Sequence, residues 1–176
     1  MDFKNSNTAL VVIDMQDGIL FGEKPLVPHA PKELLTKTNH LIEEAIKAEA
    51  PTALINVSSD RIPVAMREKF TNLSLRDDLV AHENSMSFTK YEPSAFSIVA
   101  LQNFLKKDIE NVLLTGIVTE TGVLKTAEDL VAAGFNVITI EDLTSARTSE
   151  NHQHALERLD TIGDVISLDQ VIAYLQ

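Results

Sequence analysis

The sequence predicts an α/β fold, a three-layer α/β/α sandwich with a mostly parallel, doubly wound sheet. Three observations predict it. Apolar runs of strand length are continuous rather than alternating, the pattern of strands buried on both faces. Longer segments with apolar residues at helical spacing separate them, as crossovers between parallel strands require. No internal repeat, low-complexity stretch or Gly/Ser/Pro-rich linker interrupts the 176 residues, so 1–176 read as a single domain.

Thr8–Asp14 (TALVVID) is the first strand, a β-branched run ending on a carboxylate. Pro31–Glu49 reads as a helix, with Leu34, Leu35, Leu41, Ile42, Ala45 and Ile46 at helical spacing. Thr52–Val57 is the second strand and Ser85–Lys90 a short third. Ala95–Lys106 reads as a helix with Phe96, Val99, Ala100 and Phe104 along one side. Asn111–Ile117 is a strand, and Glu120–Ala133 is a helix ended by Gly134. Asn136–Ile140 is a strand, Asn151–Leu159 a helix, Asp164–Leu168 a strand and Gln170–Leu175 a closing helix.

Composition excludes several classes of function. Hydrophobic residues make up 44% of the chain, enough for a core and too many for disorder. Lys and Arg number 15 against 26 Asp and Glu, a formal net charge of −11. Such a surface repels phosphate backbones and anionic lipid, so neither nucleic acid nor a membrane is an expected partner. MDFKNSNTAL has no signal-peptide character and no apolar run is long enough for a bilayer, so a cytoplasmic location is expected. The chain has no cysteine, which excludes disulfides, thiolate metal ligation and a thiol nucleophile.

Ligands of doubly wound sheets bind beyond the carboxyl ends of the strands. That rule points to Asp14, Val57–Asp60, Lys90, Ile117–Gly122 and Asp142. A carboxylate closing a buried strand is partly desolvated and serves either as a general acid or base, or as a turn-capping group. Lys90 beside such a carboxylate would keep it ionised or relay a proton; away from one it is a solvated lysine. From Thr115 to Gly122 a strand runs into a helix whose first amides lack intrahelical partners, which suits an anion or oxyanion. Gly122 would let a substrate approach the backbone. The alternative is a plain connection with Thr119 as N-cap. Thr119 and Thr121 offer hydroxyls, with no histidine near in sequence. His152 and His154, two apart in a helix, point to different sides, which argues against a metal pair.

Taken in order, TALVVIDMQDGIL, then Lys90 with Ser94-Ala95-Phe96, then TGIVTETGV followed by Thr126-Ala127 resemble the isochorismatase-like hydrolase superfamily. That superfamily includes isochorismatases, nicotinamidases and N-carbamoylsarcosine amidases. The resemblance spans nearly the whole chain. It implies a Rossmann-like architecture, a small-molecule substrate, catalytic Asp14 and Lys90, and a nucleophile position that falls on Gly122. It also implies substrate contacts from Gln16, Val118 and Thr119, and a cis peptide at Ile117–Val118 that turns the amides of Val118 and Gly122 toward substrate. No metal and no cofactor are expected, because Asn56–Asp60 lacks the Asp-x-His of metal-binding nicotinamidases. A homo-oligomer, dimer or higher, is expected, with Leu20, Phe21 and the helix near Ala95 as apolar contacts.

A glycine at the nucleophile position leaves three functions open. Isochorismatases resemble this pattern, with glycine in place of cysteine, and hydrolyse a vinyl ether to release pyruvate. In that chemistry Asp14 protonates the enol carbon, and Lys90 orients Asp14 and binds the substrate carboxylate. The second function is an amide or ester hydrolase that uses activated water, or Thr119 or Thr121 as nucleophile. The third is a catalytically silent binding or assembly module. An open pocket with Asp14 and Lys90 in hydrogen-bond reach would separate the first two from the third.

Overall fold

The computed structural model describes residues 7–59, 62, 64–67, 70, 72–106 and 108–176. Asp60 and Arg61 lie outside the described residues. The strands are β1 (Thr8–Ile13), β2 (Thr52–Val57), β3 (Ser85–Lys90), β4 (Asn111–Ile117), β5 (Asn136–Ser145) and β6 (Asp164–Ile166). They form one sheet in the order β3-β2-β1-β4-β5-β6, and every neighbouring pair is parallel. The helices are α1 (Asp17–Leu20), α2 (Pro31–Lys47), α3 (Asp77–Val80), α4 (Val99–Leu105), α5 (Leu124–Ala132), α6 (Ser149–Ile162) and α7 (Leu168–Leu175).

Burial explains the layers. Every residue of β1 is buried, and successive side chains feed opposite faces of the sheet. Leu10 and Val12 pack with Leu34, Leu41 and Ile42 of α2 and Val171 of α7. Ala9, Val11 and Ile13 pack with Leu101 and Leu105 of α4, Leu130 of α5 and Leu159 of α6. The sheet is therefore covered on both sides, as its continuous apolar strands predict. Strand order reverses between β1 and β4, and a ligand crevice is expected at the carboxyl ends of those two strands. Among the described residues no helix is long and apolar enough to cross a membrane.

Four elements differ from the sequence reading. β5 does not stop at Ile140: the register with β4 shifts between Leu114 and Gly116, then resumes with Gly116 opposite Thr144 and Ile117 opposite Ser145. Asp142 is thus inside the strand, and its carboxylate accepts the Leu168 amide at 2.7 Å. The segment from Ala95 opens with a tight turn over Ala95–Ser97 before α4; Leu101 and Leu105 are its buried side, while Val99 is 67% exposed. The helix after β4 begins as a π-helical turn, Thr119–Val123, before α5. Leu168 belongs to α7, which Ser167 and Gln170 cap reciprocally. Leu20 is buried in the core, whereas Phe21 is exposed.

Candidate active site

Asp14 is the first residue beyond β1, and its φ of 52° places it in the left-handed region, a strained conformation for a residue with a Cβ. Its amide donates to the Ile55 carbonyl at 2.9 Å, so the neighbouring strand fixes the bend. Lys90 is the last residue of β3, and β2 lies between it and β1. Its long stem crosses the end of β2 and brings Nζ to 2.8 Å from Asp14 Oδ2. Nζ also donates to the Pro93 carbonyl at 2.7 Å. Asp14 is 5% exposed and Lys90 2%. Among the described residues Asp14 Oδ1 has no hydrogen-bond partner.

Burial pushes the Asp14 carboxyl from 3.8 up to about 6, and the charge and hydrogen bond of Lys90 only partly offset it. A carboxyl that titrates there exchanges protons near neutral pH, the requirement for a general acid or base.

Gly122 closes the third side. The Ile117–Val118 peptide bond is cis, as the resemblance implies, and the π-helical turn follows. Such turns recur at functional sites. A Cβ on Gly122 would lie 3.1 Å from Lys90 Nζ and 3.4 Å from Asp14 Oδ2. Glycine therefore brings bare backbone against the ion pair, with no side chain between. Thr126 holds the turn: its hydroxyl donates to the Gly122 carbonyl at 2.6 Å and accepts the Ala95 amide at 2.9 Å.

Asp14, Lys90 and Gly122 share one cavity of about 370 Å³. Ile19, Val57, Ile117 and Val118 give it apolar walls; Ser58, Ser59, Thr121 and Arg147 add polar groups.

A sequence model of the Isochorismatase domain matches residues 8–170. The chain belongs to the isochorismatase family. Members of this family are hydrolases. The uncharacterized isochorismatase family protein YecD of Escherichia coli O157:H7 is 27% identical over 98% of both chains. A secreted isochorismatase effector of Phytophthora sojae is 28% identical over 92% of this chain and 72% of its own length. Among solved structures, an isochorismatase family protein from Burkholderia thailandensis is 25% identical, with a TM-score of 0.82 over 99% of this chain and 98% of its own.

In this isochorismatase-family chain, Asp14, Lys90, Gly122 and Val118 meet at the cavity. Gln16 and Thr119, expected to contact substrate, lie behind its wall. Gln16 is fully buried; its amide oxygen accepts the Val57 amide at 2.8 Å, and its nitrogen donates to the Val57 and Phe70 carbonyls. It ties the start of α1 to the end of β2. Thr119 is fully buried, and its hydroxyl pairs with His152 Nδ1 at 3.0 Å instead of capping the turn. Burial lowers the pKa of His152, which favours the neutral imidazole there.

The sequence alone does not place Arg147 at the site. Arg147 lines the cavity because β5 runs on to Ser145 and delivers it to the carboxyl end of the sheet. Arg76 pairs instead with Glu43 and Asp78 on the surface. Arg67 is exposed, its Nε donating to the Ile62 carbonyl. The signal that would have placed Arg147 was the Leu143-Thr144 pair, which resumes the strand pattern after the acidic Glu141-Asp142 pair that masks it.

Proposed function

We propose that this isochorismatase-family hydrolase cleaves a small molecule with Asp14 and Lys90, without a metal and without a nucleophilic side chain. Gly122 holds the position of the family cysteine. The reaction that fits best is isochorismatase-type hydrolysis of a vinyl ether, releasing pyruvate. One observation carries the reading: a buried carboxyl that titrates near 6, oriented by Lys90 at 2.8 Å, opens onto a cavity floored by bare backbone.

Protonated Asp14 gives its proton to the terminal enol carbon. Positive charge then spreads over the ether oxygen and its carbon as an oxocarbenium ion. Water adds to that carbon, and its proton returns to Asp14. The hemiketal hydroxyl gives up its proton as the bond to the alcohol oxygen breaks, that oxygen takes up a proton, and the products are the alcohol and the ketone of pyruvate. Lys90 holds Asp14 in place and stabilises the carboxylate formed by proton transfer. Among the described residues the wall offers Asp14 and Glu92 but no imidazole, a donor set that does not fit a nicotinamidase-type metal.

The unpartnered Asp14 Oδ1 favours a second reading, in which ionised Asp14 activates water toward an amide or ester. Thr121, which faces the cavity, is the remaining hydroxyl candidate; Thr119 is sealed behind it. An open cavity with the pair in contact supports either hydrolase over a silent assembly module, for which apolar replacements would serve as well.

The test is incubation with isochorismate and coupled detection of pyruvate. Release is expected from the native chain and not from Asp14→Asn. Release no greater than that of the Asp14→Asn control rejects the vinyl ether reading.

A further inference from the structure

We propose that Arg147 anchors the substrate by a carboxylate, so that the cavity takes small molecules that carry at least one carboxylate. The proposal rests on the cavity beside Asp14 and Lys90 being the substrate site.

Arg147 is held from two directions. Its amide donates to Glu120 Oε1 at 3.1 Å, and its Nη1 donates to the carbonyls of Lys24 at 2.8 Å and Pro25 at 3.4 Å. These contacts fix one end of the guanidinium plane. The N–H groups on Nε and Nη2 have no acceptor among the described residues, and Arg147 makes no ion pair there. Nε and Nη2 form the side-on edge of the guanidinium, the edge that receives a carboxylate through two parallel hydrogen bonds. Lys90, by contrast, is already committed to Asp14 and to the Pro93 carbonyl. Among the described residues Arg147 is therefore the cation of this wall without an ion-pair contact; Glu120 acts on its charge only through space. Partial burial lowers its pKa, and the charge of Glu120 offsets only part of that.

The class of anion follows from the remaining wall. Among its described residues Asp14 and Glu92 are the acidic groups, and Ile19, Val57, Ile117 and Val118 are apolar. A planar carboxylate matches the two-donor edge of Arg147; a phosphate dianion would bring both its charges to this one cation, beside like charge and apolar surface. Glu120 is a positioning residue: it sits in the Gly122 turn and clamps the Arg147 amide, linking the anion anchor to the reacting pair.

The experiment is titration of the purified chain with benzoate, its neutral isostere benzamide, and inorganic phosphate, followed by ligand-observed NMR. Benzoate is expected to bind, and to bind about ten- to hundredfold more weakly to Arg147→Ala and Arg147→Gln. Benzamide binding should be the same in all three proteins. Thermal midpoints check that the variants stay folded, and Arg147→Gln retains a donor for the Lys24 carbonyl. Equal benzoate affinity in native and Arg147→Gln protein, benzoate no tighter than benzamide, or phosphate tighter than benzoate each overturns the proposal. Asp14→Asn should keep Arg147-dependent benzoate binding. Failure of the hydrolytic reading, seen as no turnover, is thereby separate from failure of the anchor, seen as no charge-dependent binding.

Discussion

Two kinds of lysine–carboxylate pair occur in this molecule at nearly one distance. Asp14–Lys90 spans 2.8 Å, Glu33–Lys37 2.7 Å and Glu128–Lys125 2.9 Å. Glu33 and Glu128 stand on helix surfaces, where the lysine hydrogen bond holds their carboxyls below the usual range. Asp14 moves the other way, to about 6, because burial outweighs an equally close lysine. Contact geometry therefore does not decide what a pair does; the solvent around it does. The exposed pairs stay ionised across the physiological range. The buried one is poised to give and take a proton.

The largest test of that contrast is Lys90→Met. It leaves Asp14 buried without its cation, and removing one partner of a buried pair costs about 3–5 kcal/mol. Urea denaturation should show that loss, and the Asp14 carboxyl should titrate above 6.

The pH profile comes next. A general acid works in its protonated form, so kcat for vinyl ether hydrolysis should fall as pH rises through about 6. A kcat that rises through that value assigns Asp14 as a base and favours the amide or ester reading.

Gly122→Ala is a smaller perturbation. Its methyl lies 3.1 Å from Lys90 Nζ, so the ammonium must give by a few tenths of an ångström. A stability loss of about 1 kcal/mol is expected from this overpacking. The pH midpoint of activity should shift with it.

Smallest of all is Glu33→Gln. Breaking that exposed pair should leave the unfolding midpoint within the scatter of repeat measurements. A loss comparable to that of Lys90→Met would erase the distinction drawn between the two kinds of pair.

Strands buried on both faces announce themselves as continuous apolar runs, and β1, β2 and β4 were legible for that reason. Asp14, Lys90 and Gly122 were legible because strand ends carry sites in this architecture, and because three motifs fall in order. Partners distant in sequence were not. His152 lies 33 residues from Thr119, and only the packing of α6 on the π-helical turn brings them together. Gln16 carries no mark that separates a ligand-binding amide from one that staples two backbones. Arg147 was hidden by a strand whose middle looks like a turn, since Glu141 is exposed and Asp142 serves α7.

The Thr126 hydroxyl has a consequence for inheritance. It gives its proton to Gly122 and takes one from Ala95, joining the connections that follow β4 and β3, with two strands standing between them. Those connections are not independent modules. A graft that moves the Gly122 turn into another scaffold without the Ser94–Phe96 segment leaves the Thr126 oxygen without its donor. Recombination between relatives must therefore transmit the two together, with residue 126 as their shared hinge pin.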